Sequence, residues 1–286
     1  MTKATRAGLI GVVVVALLGA FALYLAGRGG SRPFGLPIAT GCSVRSGERE
    51  ISVRLEQMAN AATITAVGVS RKVPERAVVV ALATAWQESK LENLSGGDRD
   101  SIGLFQQRPS QGWGTEEQIS DPRYASRKFY TALLKVKNWQ KMRVTDAAQK
   151  VQRSAYPEAY EKWADESEVM AAALLGKVSA AVSCTLPGDE SDLEGQAAVA
   201  ALSDTLRLDY GSGVKATADP AGKAVRVSAA NGPTGWAYAH WLVSRAADHG
   251  VARVTFAGHR WSAESGDWER VDAADTTQVV AEVSGA

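Results

Sequence analysis

The stretch TAWQESKLENLSGGDRDSIGLFQQRPSQGWG, residues 84–114, changes character in its middle. Glu88 closes an apolar run that holds no other acid between Arg76 and Glu92. A carboxyl group placed there can act as a general acid, giving a proton to a leaving oxygen such as that of a glycosidic bond. The other reading is a solvated helix residue paired with a nearby Lys or Arg. Asp98 and Asp100, on the glycine-rich loop GGDRDS, offer a second carboxylate. Inverting glycosidases hold such a pair about 6.5–9.5 Å apart and retaining ones about 5 Å apart. Either aspartate would then serve a hydrolase, while without them Glu88 would work alone. A turn in which the aspartates bond backbone amides is the plainer reading, and two alternating acids fall short of the oxygen count that calcium takes.

Further candidates follow in the same stretch. Gln106 and Gln107 carry paired donors and acceptors suited to N-acetyl and hydroxyl groups, and Gly103 would let backbone run close to a sugar. Trp113, Tyr124 and Tyr156 either stack on pyranose faces or fill the core. No cofactor is expected and no metal: His240, His249 and His259 are spaced by nine and ten and share no helix face. Neither a nucleotide-binding glycine loop nor a CxxC cluster occurs, and no nucleic-acid partner is expected.

Several helices must position these residues. Ile51, Leu55, Met58 and Ala62 predict one over 48–69, and Val78, Leu82, Ala85 and Trp86 predict a second starting at Pro74. Others fit 121–138, 144–153 and 157–181. With no period-two strand before residue 186, this half reads as mainly helical. An acidic linker over 185–195 follows, and then AVRVSAA (224–230) and ARVTFAG (252–258) alternate like half-buried strands around a helix at 236–248. A small C-terminal α/β (α+β) domain over 196–286 is therefore expected. Trp236, Trp241, Trp261 and Trp268 are dense in it, as core or as a ligand platform.

The N-terminus reads as an address. Gly8 to Gly27 is free of charge over twenty residues, about the length of a membrane-spanning helix. Residues 1–27 are expected to be one transmembrane helix, with AFA at 20–22 leaving open a cleaved signal and a secreted chain. Residues 28–47 read as a tether. A single span cannot build a transport pathway. Charge divides the chain, 24 Lys and Arg against 17 Asp and Glu up to residue 185 but 8 against 14 beyond it. The two cysteines, Cys42 and Cys184, bracket the helical half and are expected to pair, which places that half on the extracellular, wall side.

Taken together, Glu88-Ser89 at a helix end, a short loop, then Gly103-Leu104-Phe105-Gln106 and Pro109 resemble the lytic transglycosylase branch of the lysozyme-like superfamily. Its usual form is Glu-Ser, then Gly-Leu-Met-Gln and a proline. The segment AAQKVQRSAYPEAYEKW at 147–163 takes the place of the family's alanine-tyrosine-asparagine segment, which lines the sugar cleft. Phe105 replaces the methionine and Pro157 the asparagine. The resemblance covers 48–184 and is similar to the version in actinobacterial cell-wall proteins and phage-derived lysins. It implies a mainly α lysozyme-like domain behind the transmembrane helix. It also implies cleavage of the MurNAc–GlcNAc β-1,4 bond of peptidoglycan with Glu88 as acid and base and Ser89, Gly103, Leu104, Phe105, Gln106, Gln107, Trp113, Tyr124 and Tyr156 at the substrate. The alternatives are a lysozyme using Asp98 or Asp100 as base and a catalytically silent wall-binding or scaffold protein. The C-terminal domain is expected to be an accessory or wall-binding module.

Overall fold

The apolar run before Glu88 forms helix α2 (Glu75–Ser89), and its residues from Ala77 to Trp86 are all buried. Each fully buried Val or Leu contributes about 1.5–3 kcal/mol. A helix buried all round has no freedom to shift, so it makes a rigid mount for whatever stands at its end. The computed structural model describes residues 40–187, 191–272 and 275–285. Helix α1 (Leu55–Ser70), α4 (Pro122–Leu133), α5 (Val144–Gln152) and α6 (Ala164–Leu174) pack around α2. The short α3 (Glu116–Ser120) leads into α4, whose first turn Asp121 caps by accepting from the Arg123 amide at 2.9 Å.

The expectation of a mainly helical half is corrected by a three-stranded antiparallel sheet. Strands β1 (Gly41–Ser46), β2 (Arg49–Val53) and β3 (Val182–Thr185) form it in the order β2-β1-β3. Cys42 and Val44 point inward and Gly47 (φ 62°) turns the hairpin, so residues expected as tether and first helix turn are strand. The helix expected over 157–181 is a short 3-10 turn, Glu161–Trp163, followed by α6. Cys42 and Cys184 face each other across β1 and β3 and form the expected disulfide. In the entropic model a loop of this length constrains the unfolded chain by about 4–5 kcal/mol.

The transmembrane part of the fold class and the single-pass placement are corrected too. Residues 1–39, which include the apolar run, lie outside the described residues. Among the described residues no helix is long and apolar enough to cross a membrane. The longest there have 16 residues, about 24 Å against a hydrocarbon core of about 30 Å.

The C-terminal part is a six-stranded antiparallel sheet in the order β4-β5-β9-β6-β7-β8. Its strands are β4 (Ala216–Ala218), β5 (Ala224–Ser228), β6 (Val251–Phe256), β7 (His259–Ser262), β8 (Trp268–Arg270) and β9 (Gln278–Val283). Helices α7 (Gly195–Tyr210) and α8 (Gly232–Ser244), with the short α9 (Ala246–His249) after them, cover one face. Both α7 and α8 also pack on α1, so they form a layer shared by the two halves.

Polar groups tie that layer in place. Asp209 is buried and accepts from Thr63 Oγ1 (3.0 Å) and Trp241 Nε1 (2.8 Å), with Arg123 Nε 2.6 Å and Arg245 Nη2 3.5 Å from its carboxylate. Trp268 Nε1 donates to Val182 O of β3 at 2.7 Å, and Trp261 Nε1 to Gly266 O at 3.0 Å. The four tryptophans are thus core and seam. His240, also buried, accepts from the Ala181 amide at Nε2 (2.9 Å) and holds Ala173 O at Nδ1 (2.8 Å), which suits the neutral ring protonated on Nδ1.

Burial lowers the pKa of His240 from 6.5 to about 4, against the opposing bond to Ala173. Above pH 6.5 the ring is neutral folded or unfolded. Below it the unfolded chain takes the proton first, so stability falls with pH and the loss is complete near pH 4. Urea titrations should show about 3 kcal/mol lost across this window. His240→Gln should remove its share of the slope, leaving the part from His249, whose pKa burial also lowers.

Candidate active site

Helix α2 ends in two successive left-handed residues, Lys90 (φ 58°) and Leu91 (φ 61°). That conformation costs about 1–2 kcal/mol for a side-chain-bearing residue, so something must hold it. Two amides of α1 do so: Gln57 donates to Lys90 O and Asn60 to Leu91 O, each at 2.8 Å. Ser89, buried, donates to Leu104 O at 2.8 Å. The helix end and the Gly103–Gln107 turn are thereby one unit.

Within that turn most side chains face inward. Leu104, Phe105 and Gln107 are buried, Phe105 stacks on Phe129 at 4.7 Å, and Gln107 donates to Ala125 O at 3.2 Å. These residues and Ser89 support the turn, and burial keeps their side chains from a ligand. Gly103 has φ 75°, and a Cβ there would lie 2.8 Å from Ile119 O and 3.3 Å from Asn93 Oδ1. Protein packing is what demands a glycine here. Gln106 remains half-exposed and donates to Gly103 O at 3.2 Å, its amide lying where a Cβ on Gly97 would go.

Glu88 itself is half-exposed. Its Oε1 accepts from the buried Tyr160 hydroxyl at 2.6 Å, and no Lys or Arg forms an ion pair with it among the described residues. Burial first, then the charge and hydrogen bond of Glu88, push the Tyr160 phenol above its ordinary range, so it remains a donor. Beside this pair Trp163 stacks flat on Trp86, with centroids 5.0 Å apart and planes 6° off parallel, and donates from Nε1 to Gln87 Oε1 at 3.0 Å. Lys90 and Lys162 stand 4.5 and 5.3 Å from the Trp163 ring centre. Burial and then Lys162 lower the pKa of Lys90.

Both loop aspartates have other work. Asp98 pairs with Arg108 at 2.7 Å, and Asp100 accepts from the Ser110 amide at 2.8 Å, a bond that holds its pKa below the usual range. They pin the GGDRDS loop to the 108–110 segment. Trp113 and Tyr124 sit together, half-exposed, with the Tyr124 hydroxyl donating to Trp113 O at 3.2 Å. Tyr156 is 74% exposed.

Sequence reasoning missed Tyr160, Trp163 and Gln152. Gln152 ends α5 and donates to Phe105 O at 2.7 Å, clamping the turn from the far side. The signal was present as Tyr160, four residues after the tyrosine singled out, with Trp163 three further on. Comparison of the chain with protein-family models and with curated proteins finds no match.

Two glycines separate stability from function. Gly103→Ala should cost about 2 kcal/mol, because a left-handed alanine meets an immovable carbonyl. Gly97→Ala should stay within about 0.5 kcal/mol, because the obstructing Gln106 side chain can swing aside. Urea denaturation reads both, and Gly97→Ala should instead alter ligand affinity through Gln106.

Proposed function

We propose that the chain cleaves the β-1,4 bond between MurNAc and GlcNAc in peptidoglycan strands, with Glu88 as sole acid and base. The observation that carries this reading is the state of Glu88: half-exposed, held through one oxygen by a buried tyrosine and free of any cationic partner among the described residues. The resemblance of Glu88-Ser89 and Gly103–Gln106 to lytic transglycosylases supports the same assignment.

The chemistry is intramolecular. Tyr160 donates to Oε1, which leaves Oε2 to carry the proton. Glu88 passes that proton to the glycosidic oxygen, the C1–O bond breaks, and GlcNAc leaves with its 4-hydroxyl restored. The carboxylate then takes the proton of the muramic 6-hydroxyl as that oxygen bonds to C1. Glu88 ends protonated and no water is consumed. Engagement of Asp98 by Arg108 and of Asp100 by the Ser110 amide favours this route over one that needs a second carboxylate. Hydrogen bonds to a charged group are worth about 1.5–3 kcal/mol, so Tyr160 fixes the carboxyl rotamer throughout.

Glu88→Gln should abolish release of soluble fragments from purified wall by at least about 100-fold, the usual value of general acid catalysis, with an unchanged circular dichroism melt. Tyr160→Phe should lower kcat by about tenfold, as expected from loss of a bond to a charged group, and leave KM near wild type. Retained lysis in Glu88→Gln would move the chemistry elsewhere.

A further inference from the structure

Beside the turn opens a groove of about 760 Å³ between α4, α5 and the 111–113 loop, with Trp113 and Gln152 in its wall. Lys128, Lys135, Lys150 and Arg153 also line it, and among the described residues no acidic side chain does. None of the four cations is in an ion pair among the described residues. Lys128 leans on the Tyr124 ring at 5.5 Å, and Asp146, one turn from Lys150, is already held by Arg143 at 2.9 and 3.0 Å. Cations gathered in one concavity raise the local concentration of anions. Gln152 links the groove to the site, since its side chain lines the one and bonds Phe105 O in the turn beside Glu88.

We infer that this groove binds the carboxylates of the peptide stems that a peptidoglycan strand carries, an inference that rests on the reaction proposed above. The sugars of the strand are uncharged, whereas its stems project from the muramic residues and bear free carboxylates. A strand lying across Gln106 would have a stem within reach of the neighbouring cations. The groove then reads the peptide while Glu88 acts on the sugar. Strands with free stem carboxylates would be held more tightly than strands whose carboxylates are amidated.

Binding separates this from catalysis. The full chain carrying Glu88→Gln, which cuts nothing, is titrated with a peptidoglycan tetrasaccharide bearing tetrapeptide stems, once with free and once with amidated carboxylates. The free form should bind about fivefold tighter, the sum of two or more exposed ion pairs. Adding Lys135→Gln and Lys150→Gln should cut that preference to about twofold, since Lys128 and Arg153 remain, without changing the melt, because both substituted lysines are exposed. Equal affinities before those substitutions, or a preference that they leave undiminished, would overturn the inference. A glycerol-phosphate polymer that binds more tightly than the free-carboxylate strand, and loses this with the two lysines, would assign the groove to wall phosphate instead. Failure of the proposed reaction shows separately, as absence of wall lysis by the unsubstituted chain.

Discussion

The bond from Ser89 to Leu104 O is the constraint on which the site depends. It joins the end of a helix buried along nearly its whole length to a turn whose own side chains are buried, so neither can move without the other. Glu88, one residue earlier on the helix, therefore projects from a fixed point next to the turn's anchor. The two left-handed residues after it are affordable only because Gln57 and Asn60 take their carbonyls. A catalytic group loses rate steeply when misplaced by about 1 Å, and in the role proposed for Glu88 this arrangement would limit such error. Gln152 clamps the turn from one side, and Tyr160 fixes the carboxyl from the other.

The same economy joins the two halves of the described chain. Thr40–Ala286 is one compact unit, and its core runs without a break from α2 through α1, α7 and α8 to the sheet. Asp209 and His240 sit in the shared layer. A buried charge or ring nitrogen without partners costs several kcal/mol, and both residues draw partners from the other half: Thr63 and Arg123 for Asp209, Ala173 and Ala181 for His240. Separation of the halves would strand these groups. Helices α7 and α8 thus back α1, whose Gln57 and Asn60 hold the end of α2.

Much of the helical framework was legible from spacing. Helix α2 starts one residue after Pro74, and α4 and α5 begin within a residue of where the apolar period places them. The first sheet was not, because β1 shows only Cys42 and Val44 on its inward face and a polar SGE turn follows. Helix α6 stops early for a tertiary reason: Gly176 (φ 71°) lies against Pro233 O, where a Cβ would stand 1.9 Å away. At the site the acid and the turn were legible as residue types, but their division of labour was not. Ser89, Leu104, Phe105 and Gln107, expected at the substrate, have buried side chains that bond or pack within the protein. Tyr156 and Tyr160 are equivalent in sequence, and only packing decides that the second reaches Glu88.

The central claim is that one carboxyl group performs both proton transfers, and the product of the reaction tests it most directly. Mass spectrometry of fragments released from purified peptidoglycan distinguishes the outcomes, because ends closed by the 6-hydroxyl lack one water and resist borohydride reduction. The account predicts 1,6-anhydro-MurNAc ends, unchanged in Asp98→Asn and Asp100→Asn. Reducing MurNAc ends that disappear with either substitution would contradict it and make the chain a hydrolase with an aspartate base.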